Sequence, residues 1–550
     1  MADPAGMVGE RLKKNAEGGQ QSAGLGRLRP ADHHMEDKLD KAPVALYVHP
    51  AKQAVGLYDT PARGKFGRPY GLIPMGVPAL MNHLNDNGIP VRGVNFPMEK
   101  HLDPEFNLRQ WLLDHKDARM VLIDLHWYEH SYGAISVATV AKRTLPNAWV
   151  ILGGLTSSAF ADEIVRDIEV VDFVVRGDAE RPLLALAQAL MTEDEPGVLP
   201  DLSGVPNLTY RRDGEVVENP RTFCASPEDF ADFDFVNLSW LEHEDDYYVH
   251  EYLVIDMDLA EQAREGADVS QYRGRWINNA RGCDFECSYC GGARSAHKAI
   301  AGRNGIVPVP VETIVDQIKE LITHDVIQVC FSYDLAAMGE RYWKKLFRTL
   351  RKEAIKIGLY NEFFQLPPSG FMKEFVRTAD MAHSEVALNP YSGSERVRRL
   401  NGKRYNDAQL FNALDEVILY NVPIIVYFSL NLPGEDEEAI QESINLAQAI
   451  YDMFPRSKLK ILNSCHTVEP MSPMEQRPGR YGVEVQWHTF KDWYEYCKNT
   501  QLQLPGARTG DWRGFDLMAP NERSIEALAD AWDEAAQGRE QTWWPIPPSW

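Results

Sequence analysis

Three cysteines, Cys283, Cys287 and Cys290, stand in the run Arg281-Gly-Cys-Asp-Phe-Glu-Cys-Ser-Tyr-Cys-Gly-Gly292. Thiolates are soft ligands suited to iron–sulfur clusters or to zinc, and the C-x3-C-x2-C spacing gathers all three in one tight loop. No fourth cysteine lies nearby, the next being Cys330. A cluster held by three thiolates keeps one iron open for a small molecule, which is what a catalyst needs. The alternative is a zinc knuckle completed by His297. Structural zinc is almost always four-coordinate and usually bound through paired short spacings, a pattern this run matches poorly.

Such a loop needs a rigid base. From residue 276 to about 465, strand-like runs near 276–280, 326–333, 359–364, 384–389, 422–430 and 458–464 alternate with helical segments. Six such units make a partial (β/α)6 barrel, and the cysteine loop follows its first strand, where barrel chemistry sits. A second α/β region precedes it. Ala45–His49, Val91–Phe96, Met120–Leu125, Trp149–Gly153 and Asp172–Arg176 read as strands, with helical spacing over 72–86, 131–144, 158–168 and 181–191. This alternation predicts a Rossmann-like parallel sheet covered on both faces. Ligands of such sheets bind beyond the carboxyl ends of the strands. Gly153 to Ser158 and Gly177 to Glu180 fall there. The expected division is a flexible tail over 1–43, the first domain over 44–199, a connector over 200–270, the barrel over 271–480 and an extension over 481–550. The connector holds a candidate hairpin at Leu208–Val217 with Asp213-Gly214 at its turn. The extension is Trp-rich: seven of the 13 tryptophans lie from Trp487 onward, and most are expected to pack it onto the domain surface.

The bulk composition narrows the partners. At 550 residues, 44% hydrophobic and 25% charged, the chain reads as a multidomain globular protein. A net charge of −23 argues against nucleic acid or an anionic membrane as the main partner. Seven cysteines, three of them in one motif, do not make a disulfide framework and point to a reducing, cytoplasmic setting. No stretch approaches the roughly 18 apolar residues of a membrane span.

The cysteine run resembles the signature of the radical S-adenosylmethionine (SAM) enzymes. That resemblance implies a 4Fe–4S cluster on Cys283, Cys287 and Cys290, whose open iron chelates the amino and carboxylate groups of SAM, with Tyr289 near the adenine. It further implies SAM contacts from Asp334 after the second barrel strand, from Asn389 and Ser392 after the fourth, and from Pro433 after the fifth. The first domain resembles the cobalamin-binding domain of one large branch of these enzymes. Pro69-Tyr-Gly-Leu-Ile-Pro-Met-Gly76, the turn Gly153-Gly154 with Thr156 and Ser157, and Val175-Arg-Gly-Asp-Ala-Glu180 carry the likeness. Gly177, Asp178 and Glu180 are the expected contacts from the last of these. Asp124-Leu-His-Trp-Tyr-Glu129 departs from the D-x-H-x-x-G motif that ligates cobalt. Asp124 and His126 are therefore expected beside cobalamin, with His126 or His130 as a hydrogen-bonding group and not as the axial ligand. Arg63, Lys65 and Arg68 lie in the loop that could reach the corrin.

Arg396, Arg398, Arg399, Lys403 and Arg404 form a basic run in an acidic chain. It reads either as a solvated face or, through Arg396, Arg399 and Arg404, as a substrate site for a carboxylate or phosphorus oxyanion. The resemblance implies a cobalamin-dependent radical SAM methyltransferase. Methyl passes from one SAM to cobalamin and then to a substrate radical generated with a second SAM. The substrate is expected to be a small molecule of natural-product (antibiotic) biosynthesis, methylated at an unactivated carbon or a phosphinate phosphorus, with a flavodoxin or ferredoxin as reductant. A cobalamin-containing radical SAM enzyme that rearranges or cyclises without methylating is the enzymatic alternative. A zinc-stabilised interaction protein is the non-enzymatic one.

Overall fold

A computed structural model describes residues 44–57, 71–192, 198–253, 270–501, 514–519 and 525–535. The expected tail 1–43, Arg63, Lys65 and Arg68, Pro69 and Tyr70, and the tryptophans Trp512, Trp543, Trp544 and Trp550 lie outside them.

The first sheet contains β1 (Ala45–His49), β2 (Val91–Asn95), β3 (Met120–Asp124), β4 (Trp149–Gly153), β5 (Phe173–Val175), β6 (Leu208–Arg212) and β7 (Glu215–Glu218), in the order β2-β1-β3-β4-β5-β6-β7. β1 to β5 are parallel. Every residue of β1 and β3 is buried, as strands covered by helices on both faces must be. The connector does more than link. Its hairpin β6–β7 joins β5 antiparallel, turning at Asp213 (φ 53°) and Gly214 (φ 85°), both in the left-handed region a two-residue hairpin loop requires. At the opposite edge the connector pairs with β2: Gly93 N donates to Trp240 O at 2.8 Å and Glu242 N to Gly93 O at 2.8 Å. A Cβ on Gly93 would meet the Trp240 ring at 2.8 Å, so glycine admits the indole. Strand order reverses between β1 and β3, which places the ligand crevice of such a sheet beyond His49 and Asp124.

The second sheet holds six parallel strands: β8 (Gly274–Ile277), β11 (Gln328–Phe331), β12 (Gly358–Phe363), β13 (Glu385–Tyr391), β14 (Ile424–Leu430) and β15 (Leu459–Cys465), running β15-β14-β13-β12-β11-β8. Among the described residues it stays open, a partial barrel with β8 and β15 at its edges. The short antiparallel pair β9 (Ala280–Arg281) and β10 (Val307–Pro308) brackets the cysteine loop and the helix Arg294–Ala301 behind it. In the extension, β16 (Val483–Val485) pairs with β17 (Phe515–Leu517). Trp493 on the helix Phe490–Gln501 is fully buried against Phe160, with its indole N–H on Val468 O at 3.1 Å. Trp532 packs on Phe428 of β14. These described tryptophans fasten the extension to a helix end of the first α/β region and to β14 of the second sheet.

Candidate active site

The carboxyl ends of the two sheets face each other across a cavity of about 520 Å³. Tyr47, Asp124 and Gly153 line it from the first sheet, and Cys283, Cys287 and Cys290 from the second.

The cysteine loop is shaped by its own backbone. Gly282 (φ 82°) turns the chain where a Cβ would lie 2.2 Å from Gly305 O. Phe285 N points at Cys283 Sγ (3.4 Å) and Gly292 N at Cys290 Sγ (3.3 Å), donors that favour thiolate. Burial pushes the Cys283 thiol up to about 11 and raises Cys290 as well, with Glu469 and Cys287 adding repulsion. Thiols that resist ionising alone give up their protons to a cationic metal centre. Among the described residues, the His/Cys/carboxylate trio with ligand atoms all within 4.8 Å is His49, Asp124 and His130, not the cysteines. Three thiol side chains from one loop, all lining the cavity, are a soft donor set that suits an iron–sulfur cluster. His297 lines the cavity near Cys290: a Cβ on Gly292 would lie 3.6 Å from Cys290 Sγ and 3.8 Å from His297 Nε2.

Beside the loop, Tyr289 is buried in an aromatic stack, 4.4 Å and 9° from the His466 ring and edge-on to Tyr391 at 5.0 Å. Asn389 reaches the cavity and donates to Glu362 Oε1 at 2.6 Å. Lys403 Nζ donates to Asn389 Oδ1 (2.7 Å) and Phe364 O (2.9 Å) and lies over the Tyr391 ring. The other SAM contacts expected from sequence do not reach the cavity. Asp334 is spent on local backbone, accepting from Ala336 N (2.8 Å) and Phe364 N (3.0 Å). Ser392 Oγ sits 3.3 Å from Ser443 Oγ and caps Ser394 N. Pro433 O accepts from Asn401 at 2.9 Å. In that same turn Glu435 is buried, accepting from Asn431 N at 2.6 Å, and burial pushes its carboxyl up to about 8. A carboxyl raised in the fold favours the folded state while protonated and loses that contribution as pH climbs through its folded value. Glu435→Gln should therefore gain stability over the parent from about pH 5 to about pH 8, reaching about 2–4 kcal/mol, measured by urea unfolding across pH. A pH-independent difference would contradict this.

On the opposite wall, Tyr47 OH (2.6 Å) and His49 Nδ1 (2.9 Å) converge on Asp124 Oδ1. Burial opposes the charge on Asp124, but His49, His130 and Tyr47 outweigh it and hold the carboxyl below its usual range. Among the described residues, His49 Nε2, Asp124 Oδ2 and His130 Nδ1 are buried without a hydrogen-bond partner. Of these three residues Asp124 alone lines the cavity, where its second oxygen fits an amide or hydroxyl of a cobalamin. Burial lowers His126 to about 4, leaving a neutral imidazole on the cavity wall. Gly154 (φ 119°) closes this wall, where a Cβ would sit 2.6 Å from His126 Cα. Thr156 and Ser157 do not reach the cavity; their hydroxyls brace the turn on His126 O (3.0 Å) and Gly154 O (3.2 Å). Gly154→Val should cut cobalamin retention after gel filtration at least tenfold while leaving iron content unchanged, because backbone cannot yield as a side-chain tip does. Equal retention would mean this turn does not shape the pocket.

Gly177, Asp178 and Glu180 also line the cavity, but the two carboxylates are engaged. Asp178 pairs with Arg281 (3.2 Å) and Arg303, and Glu180 with Arg281. The basic run divides. Arg398 is wholly buried on Ser392 O, Gly393 O and Asp407. Arg396, Arg399 and Arg404 point to solvent and do not line the cavity, which corrects their expected substrate role. The run is a helix followed by a turn: Arg396 and Arg399, three residues apart, share the solvent face while Arg398 falls on the buried one, and Lys403 alone of the five enters the cavity. Sequence reasoning missed Glu362, Tyr47, His49 and the Arg281 and Arg303 pairings; only the position of Arg281, two residues before Cys283, offered a signal.

The profile of the Radical SAM superfamily matches residues 277–447. An uncharacterized methyltransferase of Pyrococcus horikoshii is 21% identical over 325 residues, 58% of this chain and 62% of that protein. The anaerobic magnesium-protoporphyrin IX monomethyl ester cyclase of Rubrivivax gelatinosus is 28% identical over 162 residues, 29% of this chain and 24% of its own. The match thus spans less than two thirds of either relative. Among solved structures, the radical SAM methyltransferase TsrM from Kitasatospora setae with tryptophan substrate and aza-SAM bound has a TM-score of 0.63 at 14% identity, covering 90% of each chain. The form with cobalamin and a [4Fe-4S] cluster bound gives 0.62 at 14% identity, over 91% of this chain and 93% of the other. At that identity the likeness is one of fold.

Proposed function

We propose that this chain, whose residues 277–447 match the Radical SAM superfamily, is a cobalamin-dependent radical SAM methyltransferase acting on a small molecule in the cavity between its two sheets. The observation that carries the reading is a single cavity lined by Cys283, Cys287 and Cys290 on one side and by Asp124, His126 and Gly154 on the other. When bound, the cluster supplies the electron that cleaves SAM and cobalamin carries the methyl group. The chain's own residues bind, orient and exclude water. Tyr289, held by His466 and Tyr391, offers an aromatic wall to the adenine. Lys403 has two of its three N–H donors engaged, leaving one for an anionic group, while Asn389 and Glu362 hold it in place. Tyr333, Phe285 and Phe364 complete an apolar wall, which limits solvent near a reactive radical.

The substrate we favour carries an unactivated carbon or a phosphinate phosphorus and belongs to a natural-product pathway. Lys403, in place of the exposed arginines, is the cavity cation that would meet its acidic group. The test is product balance in anaerobic turnover with a candidate substrate. A methylase forms S-adenosylhomocysteine and 5′-deoxyadenosine together with methylated product. The partial identity to magnesium-protoporphyrin cyclases favours a second reading, a non-methylating radical enzyme. Deoxyadenosine without S-adenosylhomocysteine would select that reading and reject the first.

A further inference from the structure

Part of the basic run lies beside the cysteine loop. Two segments cover that loop. The first is the turn after the helix Glu395–Leu400, where Asn401 hydrogen-bonds Ser288 Oγ and a Cβ on Gly402 would stand 3.1 Å from Cys287 Cα and 3.0 Å from Glu286 O. The second is the short helix Pro473–Gln476, where Met474 N donates to Ser288 O at 2.9 Å. Next along the chain Arg480 lies over the Tyr481 ring at 5.8 Å. The Gly402 turn thus packs directly on the backbone of Cys287.

The two covering segments carry or adjoin exposed arginines. Arg399 is 67% exposed and meets Glu395 only at 3.5 Å. Arg404, Arg477 and Arg480 are exposed and make no ion pair among the described residues. Arg396 and Arg294 flank them, each already facing a carboxylate, Asp436 at 2.5 Å and Glu286 at 3.7 Å. Carboxylates at Glu286, Glu395 and Asp436 leave the patch net positive, on a chain whose formal charge is −23. A local reversal of sign on an acidic protein orients an acidic partner and repels it elsewhere.

We propose that Arg399, Arg404, Arg477 and Arg480 form the docking surface for an acidic flavodoxin that passes one electron to the cluster through the Glu286–Ser288 backbone. The proposal rests on the reading of Cys283, Cys287 and Cys290 as cluster ligands. The step balances: the anionic flavin hydroquinone is oxidised to its neutral semiquinone with loss of one electron and no proton, and the oxidised cluster gains that electron, with no bond made or broken between the proteins. The measurement is anaerobic stopped-flow reduction of the reconstituted full chain by flavodoxin hydroquinone and, separately, by titanium(III) citrate. Arg399→Glu with Arg404→Glu, and Arg477→Glu with Arg480→Glu, are each expected to slow flavodoxin reduction at least tenfold at low salt and to flatten its ionic-strength dependence. Titanium reduction should stay within twofold, as should both rates for Arg166→Glu, an exposed control on the first domain. Unchanged flavodoxin rates in both double variants, or equal slowing with titanium, would overturn the docking surface. A chain reducible by titanium but indifferent to the patch keeps its cluster and loses only this proposal; a chain that takes up no iron loses both.

Discussion

Alanine at Cys283, Cys287 or Cys290 is expected to yield a chain without visible iron–sulfur absorption and with methyl transfer at background. On the proposed reading each thiolate would supply one of three protein bonds to the cluster, and two-point attachment would not hold it against buffer thiols. The size of the effect follows from chemistry more than from packing. These side chains are small and half-buried, so the apoprotein should fold and keep its cobalamin. Iron and sulfide analysis on the anaerobically reconstituted variants reads the outcome, with about four irons per parent chain. A parent containing one zinc and no sulfide would instead return the site to the zinc reading. His297→Ala separates the two further: it should remove a ligand from a zinc site but leave iron content untouched, since a SAM-binding cluster needs no fourth protein ligand.

The architecture was legible because both sheets are parallel and covered. Strands of that kind are apolar along their whole length, and turns and helices punctuate them, so all five parallel strands of the first sheet and all six of the second stood out within two or three residues. The cysteine loop was legible for a local reason: three metal ligands within eight residues must share one loop. What was hidden depends on elements meeting in space. His49 and Asp124 are 75 positions apart, and their hydrogen bond exists because β1 and β3 are neighbours. Asp334 illustrates the reverse error. Its place after the second barrel strand is right for a cofactor contact, yet the turn Leu335–Ala336 and Phe364 take both of its oxygens. The basic run misled for want of a register. Charge alone cannot tell Arg398, buried beneath Ser392 and Gly393, from Arg399, its solvent-facing neighbour. Nor does it show that Lys403, one residue from exposed Arg404, turns inward under Tyr391.

Arg281→Ala should be the most destabilising single change outside the cluster, by about 3–5 kcal/mol in urea unfolding. Arg281 donates to Asp178 and Glu180 at the carboxyl end of β5, while its own strand β9 leads into Cys283 two residues later. Burial works against this guanidinium, but Glu180 and Asp178 more than offset it and hold it protonated. The flat cation is also faced by Phe230 at 5.3 Å and Phe235 at 5.9 Å, and it presses on Gly76, where a Cβ would come within 3.1 Å of Nη2. Removing it strands Glu180, which is 1% exposed, with a charge that nothing else described neutralises directly. Arg303 still serves Asp178, so Glu180 bears most of the loss. Glu180→Gln in the Arg281→Ala background should then recover part of the stability, with a coupling on the order of 1–3 kcal/mol in the double-mutant cycle. Arg281→Lys should recover little, because an ammonium cannot fork across two carboxylates or stack between two rings. Additive single effects, with no coupling, would mean that the pair does not join the cofactor sheet to the cysteine loop. Because the same side chain bridges both walls of the cavity, the variant should also lose iron and cobalamin together, whereas Gly154→Val loses cobalamin alone.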